Sequence, residues 1–212
     1  MVNKDKYSFS FTGASALITE TLIIAEEYKN LQDWKEVKNS LMEHNSLNKI
    51  KQSTFKREFS EIKKRLSSLS EEQLYLLING SYDDSKAMIL LSLIKVYTFL
   101  NDFIVEVLRN KYLQFDTNIS ENDYFKFVHS KCISHNELNE ITEVTTKKVK
   151  QVIFKLLEQV GLVTQTKNGI ILKPILSHAA VDVIINENPI QLSAFLYSNE
   201  EIKGYLKKLN HA

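Results

Sequence analysis

Apolar residues recur along "STFKREFSEIKKRLSSL" at Phe55, Phe59, Ile62, Leu66 and Leu69, alternating steps of four and three. That spacing lines one face of an α-helix. Ser53 stands before the stripe as an N-cap candidate. Arg57 and Lys64 fall on the opposite side, with Lys56 and Lys63 on a flank. The preceding "DWKEVKNSLMEHN" repeats the pattern through Trp34, Val37 and Leu41, with Asp33 as N-cap and Glu36 completing a capping box. Upstream, "YSFSFTG" alternates Tyr7, Phe9 and Phe11 with serines and reads as a short strand or extended arm. A helix follows over Ala14–Tyr28. Ser70 and Gln73 open a further helix that Gly80 ends. The most apolar run, Ala87–Leu108, predicts buried helix, bent or broken near Asn101.

A second unit begins after "QFDT". Ser120 and Asp123 have capping-box spacing, "HNELNEI" gives a short helix, and "TTKKVKQVIFKLLEQVG" gives a long one with Gly161 as C-cap candidate. Val149, Val152, Ile153, Leu156 and Val160 form its core face. Lys147, Gln151, Phe154 and Glu158 are expected to point away, flanked by Lys148, Lys150 and Lys155. Asn168-Gly169 between apolar runs predicts a hairpin with a primed turn. The tail from Ser177 reads as helical, broken by Pro189. The expected architecture is mostly α: a helical N-terminal domain, 1–116, with a helix-turn-helix-like element, and a C-terminal winged helix-turn-helix, 117–212, with a helical tail.

Composition supports the helical reading, because the 212 residues include only 5 Gly and 2 Pro. Cys132 is the single cysteine, so no intramolecular disulfide forms. Lys95, Asn101, Asp102 and Glu106 interrupt the apolar run, and the start lacks a signal-peptide core, so a cytoplasmic protein with no membrane span is expected.

The formal net charge of +1 excludes a globally basic protein, so any cationic surface is local. Two concentrations stand out. Lys147 to Lys173 holds six lysines against Glu158, and Lys49 to Arg65 holds seven cations against Glu58 and Glu61. The long helix is thus expected to open with a basic first turn at Lys147, Lys148 and Lys150, against the helix dipole. Contact with double-stranded DNA would compensate. Lysines meet phosphates, Gln151 suits the edge of adenine, and Lys155 and Lys167 extend the surface. Lys56, Arg57, Lys63 and Lys64 form a second candidate surface. Two other readings stay open: a protein-docking adaptor anchored by Phe154, and an RNA-binding helical protein. His129, Cys132 and His135 lack a fourth ligand, so no metal is expected. No nucleophile elbow, phosphate-cradling loop or His-Glu-x-x-His motif is present, so neither enzyme activity nor a cofactor is expected.

Taken in order, "YSFSFTGASALITETLIIAEEY", "DWKEVKNSLMEHNSLNKIKQSTFKREFSEIKKRLSSLSEEQLYLL", "FLNDFIVEVLRNKY" and "VKQVIFKLLEQVGL" resemble the BrxA family, small accessory proteins encoded with BREX bacteriophage-exclusion systems. The resemblance covers most of residues 7 to 175 and rests on the collinear set rather than one motif. It implies a mostly helical DNA-binding protein of phage defence without catalysis of its own. It also implies other BREX proteins as partners, since methyltransferase and ATPase components are separate in these systems.

Overall fold

The computed structural model describes residues 6–13 and 15–209. The first half is a stack of helices. An extended arm ends in a 3-10 turn, Ser10–Gly13, so the alternating aromatics form an arm and not a strand. Helix α1 is Ile18–Leu31. Its expected start at Ala14 lies outside the described residues, and Leu17, left-handed at φ 51°, delays the helix to Ile18. Helix α2, Trp34–Glu43, begins where the Asp33 carboxylate accepts the N–H groups of Lys35 and Glu36. Helix α3, Gln52–Leu66, follows extended Lys51 rather than a Ser53 cap. Helix α4, Glu71–Asn79, carries the reciprocal Ser70–Gln73 capping box.

Helix α5, Tyr82–Val96, is buried around most of its circumference, which is why it lacks a polar face in the sequence. The chain breaks at Tyr97, four residues before the expected Asn101, and turns by 112° into α6, Thr98–Phe103. Tyr97 is pinned there: its hydroxyl donates to Glu61 of α3, and its ring packs edge-on against Phe11 at 5.1 Å. A π-helical segment, Ile104–Arg109, leads to α7, Asn110–Leu113. Among the described residues no single helix is long and apolar enough to cross a membrane.

The second half opens with strand β1, Asn118–Ile119, and α8, Glu121–Lys131, which the Ser120–Asp123 capping box starts. A 3-10 turn, Asn136–Asn139, precedes α9, Glu143–Gln159. The left-handed Gly161 (φ 82°) ends α9 in a Schellman motif, its N–H bonding the Glu158 carbonyl while that of Leu162 bonds Leu157. The chain then folds back. Val163 bridges Ile171, and β2, Gly169–Ile170, pairs antiparallel with β1, Asn118 opposite Ile170. The turn is not the primed two-residue type. Of the pair, only Asn168 is left-handed (φ 49°), and the loop 165–169 closes with Thr164 N–H on the Ile170 carbonyl at 3.0 Å. A Cβ at Gly169 would stand 2.4 Å from the Gln165 carbonyl oxygen, so the loop needs glycine there.

Helix α10, His178–Ile185, a 3-10 turn, Pro189–Phe195, and α11, Asn199–Leu209, form the tail. It packs back on the first half. Buried Gln73 donates to the Val183 carbonyl and to Glu187, whose carboxylate also pairs with Lys95. Arg109 donates to the Tyr197 carbonyl at 2.7 Å and to Asn199. One contiguous core runs from Tyr7 to Ile202.

Candidate nucleic-acid interface

Helix α9 does not begin with its lysines. Thr142 caps it by accepting the Thr145 N–H, and Glu143 supplies the first turn with the negative charge the dipole favours. Lys147, Lys148 and Lys150 therefore lie in the second turn, and the expected conflict with the dipole is absent. Lys147 instead pairs with Glu143 at 2.6 Å, and this contact holds the Glu143 carboxyl below its ordinary range.

The exposed face of α9 is also rotated from its expected position. Phe154, expected to point outward, is 2% exposed and packs toward Phe103 of α6, ring centroids 6.2 Å apart. Lys150 is drawn inward as well: it pairs with Glu121 of α8 at 2.6 Å and lies over the Phe125 ring at 5.3 Å. Helix α8 covers that flank. What faces out is Val144, Lys148, Gln151 and Lys155, all exposed. At about 100° per residue these four fall within about 60° of one another. The sequence pattern missed Val144, 77% exposed. Its signal was an apolar residue just inside the cap and out of phase with the core stripe.

The hairpin loop comes up beside this helix. Lys150, Gln151, Lys155, Thr166 and Lys167 line one groove of about 300 Å³, with Phe154 and Glu121 also in its wall. Lys155 holds Glu158 at 2.6 Å across an exposed helical turn, while Lys148 and Lys167 carry no ion pair among the described residues. Exposed pairs of this kind stabilise little, so their lysines can be surrendered to a phosphate.

Helix α3 presents the other surface. Lys56, Arg57, Lys63 and Lys64 are exposed, and none has an ion-pair partner among the described residues. Lys63 rests over Trp34 at 5.6 Å and Lys64 over Tyr97 at 5.1 Å, contacts that position the ammonium groups and leave their charge intact. Two cations of the same sequence run are removed from the surface. Lys49 bridges Glu20 and Glu58 at 2.8 and 2.9 Å. Arg65 is fully buried and donates to the Ser15 carbonyl at 2.9 Å.

His135, the last of the three residues weighed as metal ligands, stacks on Tyr7 with centroids 3.8 Å apart and meets Glu137 through Nδ1. Glu137 also accepts the Tyr7 N–H, and Asp102 accepts its hydroxyl at 2.6 Å. Burial, followed by the nearby Asp102, pushes the Tyr7 hydroxyl far above the ordinary tyrosine range. This cluster fastens the arm. Among the described residues no three His, Cys, Asp or Glu side chains gather as metal ligands.

Comparison with known proteins gives one consistent family. The family model for BrxA matches residues 5–188. A BREX protein BrxA from Escherichia coli O9:H4 (strain HS) is 24% identical over 164 residues, 77% of each chain. One from Bacillus cereus (strain H3081.97) is 27% identical over 150 residues, 70% of this chain and 74% of the relative. A crystal structure of an uncharacterized protein from Magnetospirillum magneticum shares the fold with a TM-score of 0.77 at 18% identity, covering 90% of this chain and 98% of that one.

Proposed function

The chain belongs to the BrxA family, and from that premise we propose that it is a non-catalytic, cytoplasmic DNA-binding component of a BREX phage-defence system that works beside other BREX proteins. The order of β1, α8, the 3-10 turn, α9 and the hairpin supports reading this half as a winged helix-turn-helix, an architecture in which the second helix enters the major groove. The observation that carries the reading is the groove where Gln151, Lys155 and Lys167 converge, with Lys150 held in its wall by Glu121. It offers cations to the phosphates and an amide to a base edge at the same place. Four exposed cations on α3, without ion-pair partners among the described residues, give a second phosphate-binding face. Most contacts are electrostatic, so affinity falls with salt. If about five phosphates are neutralised, the slope of log K against log salt is about −4 to −5.

Fluorescence anisotropy with a labelled duplex of roughly two to three helical turns, across a salt series, tests this. Wild type is compared with Lys148→Ala/Lys155→Ala/Lys167→Ala. Salt-dependent binding that the triple change weakens supports it; no binding at low salt sinks it. A protein-docking role is favoured by a different feature, a recess of about 490 Å³ lined by Tyr28, Trp34, Leu74 and Tyr75. Phe154 cannot be its anchor, because it is buried. Loss of a BREX partner in pull-down on Tyr75→Ala, with no DNA affinity in the wild type, would establish the docking role instead.

A further inference from the structure

Packing does not hold the Val144 side chain. It occupies the second helical position of α9, after Glu143, and is 77% exposed. A β-branched residue there adds nothing to helix propensity, and an isolated exposed apolar side chain gains nothing from burial. Yet it sits on the same narrow face as Lys148, Gln151 and Lys155 and is the one large apolar group of α9 that is exposed. Lys147 and Lys148 stand within one turn of it, so a polyanion drawn to those cations is brought against the valine. In a duplex entered from the major groove, the apolar group available at the base edges is the C5-methyl of thymine.

We infer that Val144 reads the thymine methyl group in the major groove, about two helical turns before Gln151 reads a base further along the groove, so that the protein distinguishes A·T-containing sites from others. This rests on the DNA-binding reading of α9. It goes beyond that reading by making binding sequence-selective and by assigning the selectivity to an uncharged residue. The lysines set affinity and salt dependence, while Val144 alters neither charge nor salt slope.

The test separates the two levels. The full chain is used to select sites from a random duplex library, and each thymine of the selected site is replaced in turn by deoxyuridine, which lacks only the methyl group. The expected result is one position at which deoxyuridine weakens wild-type binding about fourfold, the size of one buried methyl. Val144→Ser should be indifferent to that replacement, and Val144→Ile should retain the discrimination. Both variants change an exposed residue and should keep the wild-type salt slope and melting temperature. Salt-dependent binding with no sensitive thymine, with no selected sequence, or with equal loss in Val144→Ser, overturns this inference and leaves the DNA-binding reading standing. Absence of any salt-dependent binding overturns both.

Discussion

The side chain of Gln159, at the end of α9, accepts a hydrogen bond from the backbone N–H of Ala16 at 3.1 Å. One residue earlier, the carbonyl of Ser15 accepts from Arg65 of α3. A single short segment before α1 therefore ties together the two helices that carry the cationic surfaces. Arg65 is fully buried, and its guanidinium lies over the Tyr97 ring at 5.7 Å. Arg65→Met should cost about 2–3 kcal/mol, because it strands buried carbonyl acceptors, and should lower the melting temperature by roughly 4–12 °C. A loss under about 1 °C in thermal unfolding would contradict this.

Lys148 and Lys150 differ by two positions and should behave oppositely. Lys150 is anchored between Glu121 and the Phe125 ring. Its change to Met should disturb packing of α9 on α8, seen as lost stability of about 1 kcal/mol. Lys148→Ala should leave stability within about 0.5 kcal/mol and reduce the salt slope of DNA binding by about one. Paired melts and salt titrations decide between this and a shared role.

On α3, Lys56→Ala/Lys63→Ala removes two exposed cations that hold no ion pair among the described residues. The expected outcome is weaker binding to every duplex sequence alike, with the salt slope smaller by about two. An unchanged slope would mean that α3 faces no phosphate and that α9 binds alone.

Asp84 caps two helices at once. One carboxylate oxygen accepts from the N–H and hydroxyl of Ser81 at the start of α5; the other accepts from the hydroxyl of Ser177, the N-cap of α10, at 2.6 Å. Burial raises this carboxyl, but the hydrogen bonds from Ser177 and Ser81 outweigh it and hold it below its ordinary 3.8. A depressed folded value means the stabilisation is full above the unfolded value and fades as pH falls through the folded one. Asp84→Ala should therefore melt well below wild type at neutral pH, by about 1–2 kcal/mol. The gap should narrow as pH falls below the ordinary carboxylate value of about 4 and through the lower folded value. A gap independent of pH would show that shape, and not charge, matters at this site.

Local chemistry determines much of this protein. Capping boxes at Ser70 and Ser120, the α3 stripe and the Gly161 terminus are written in a few adjacent residues, since a cap or an apolar face needs only near neighbours. Helix boundaries were less legible. Thr142 and Glu143 moved the start of α9 ahead of its lysines, and anchoring by Glu61 and Phe11 placed the main break at Tyr97. Tertiary structure alone decided which side of α9 meets solvent. Periodicity gives a helix its apolar stripe, but the flank that a neighbour covers depends on where that neighbour lies. Here α8 and α6 take the flank with Lys150 and Phe154, and Val144 is left outside with Lys148, Gln151 and Lys155.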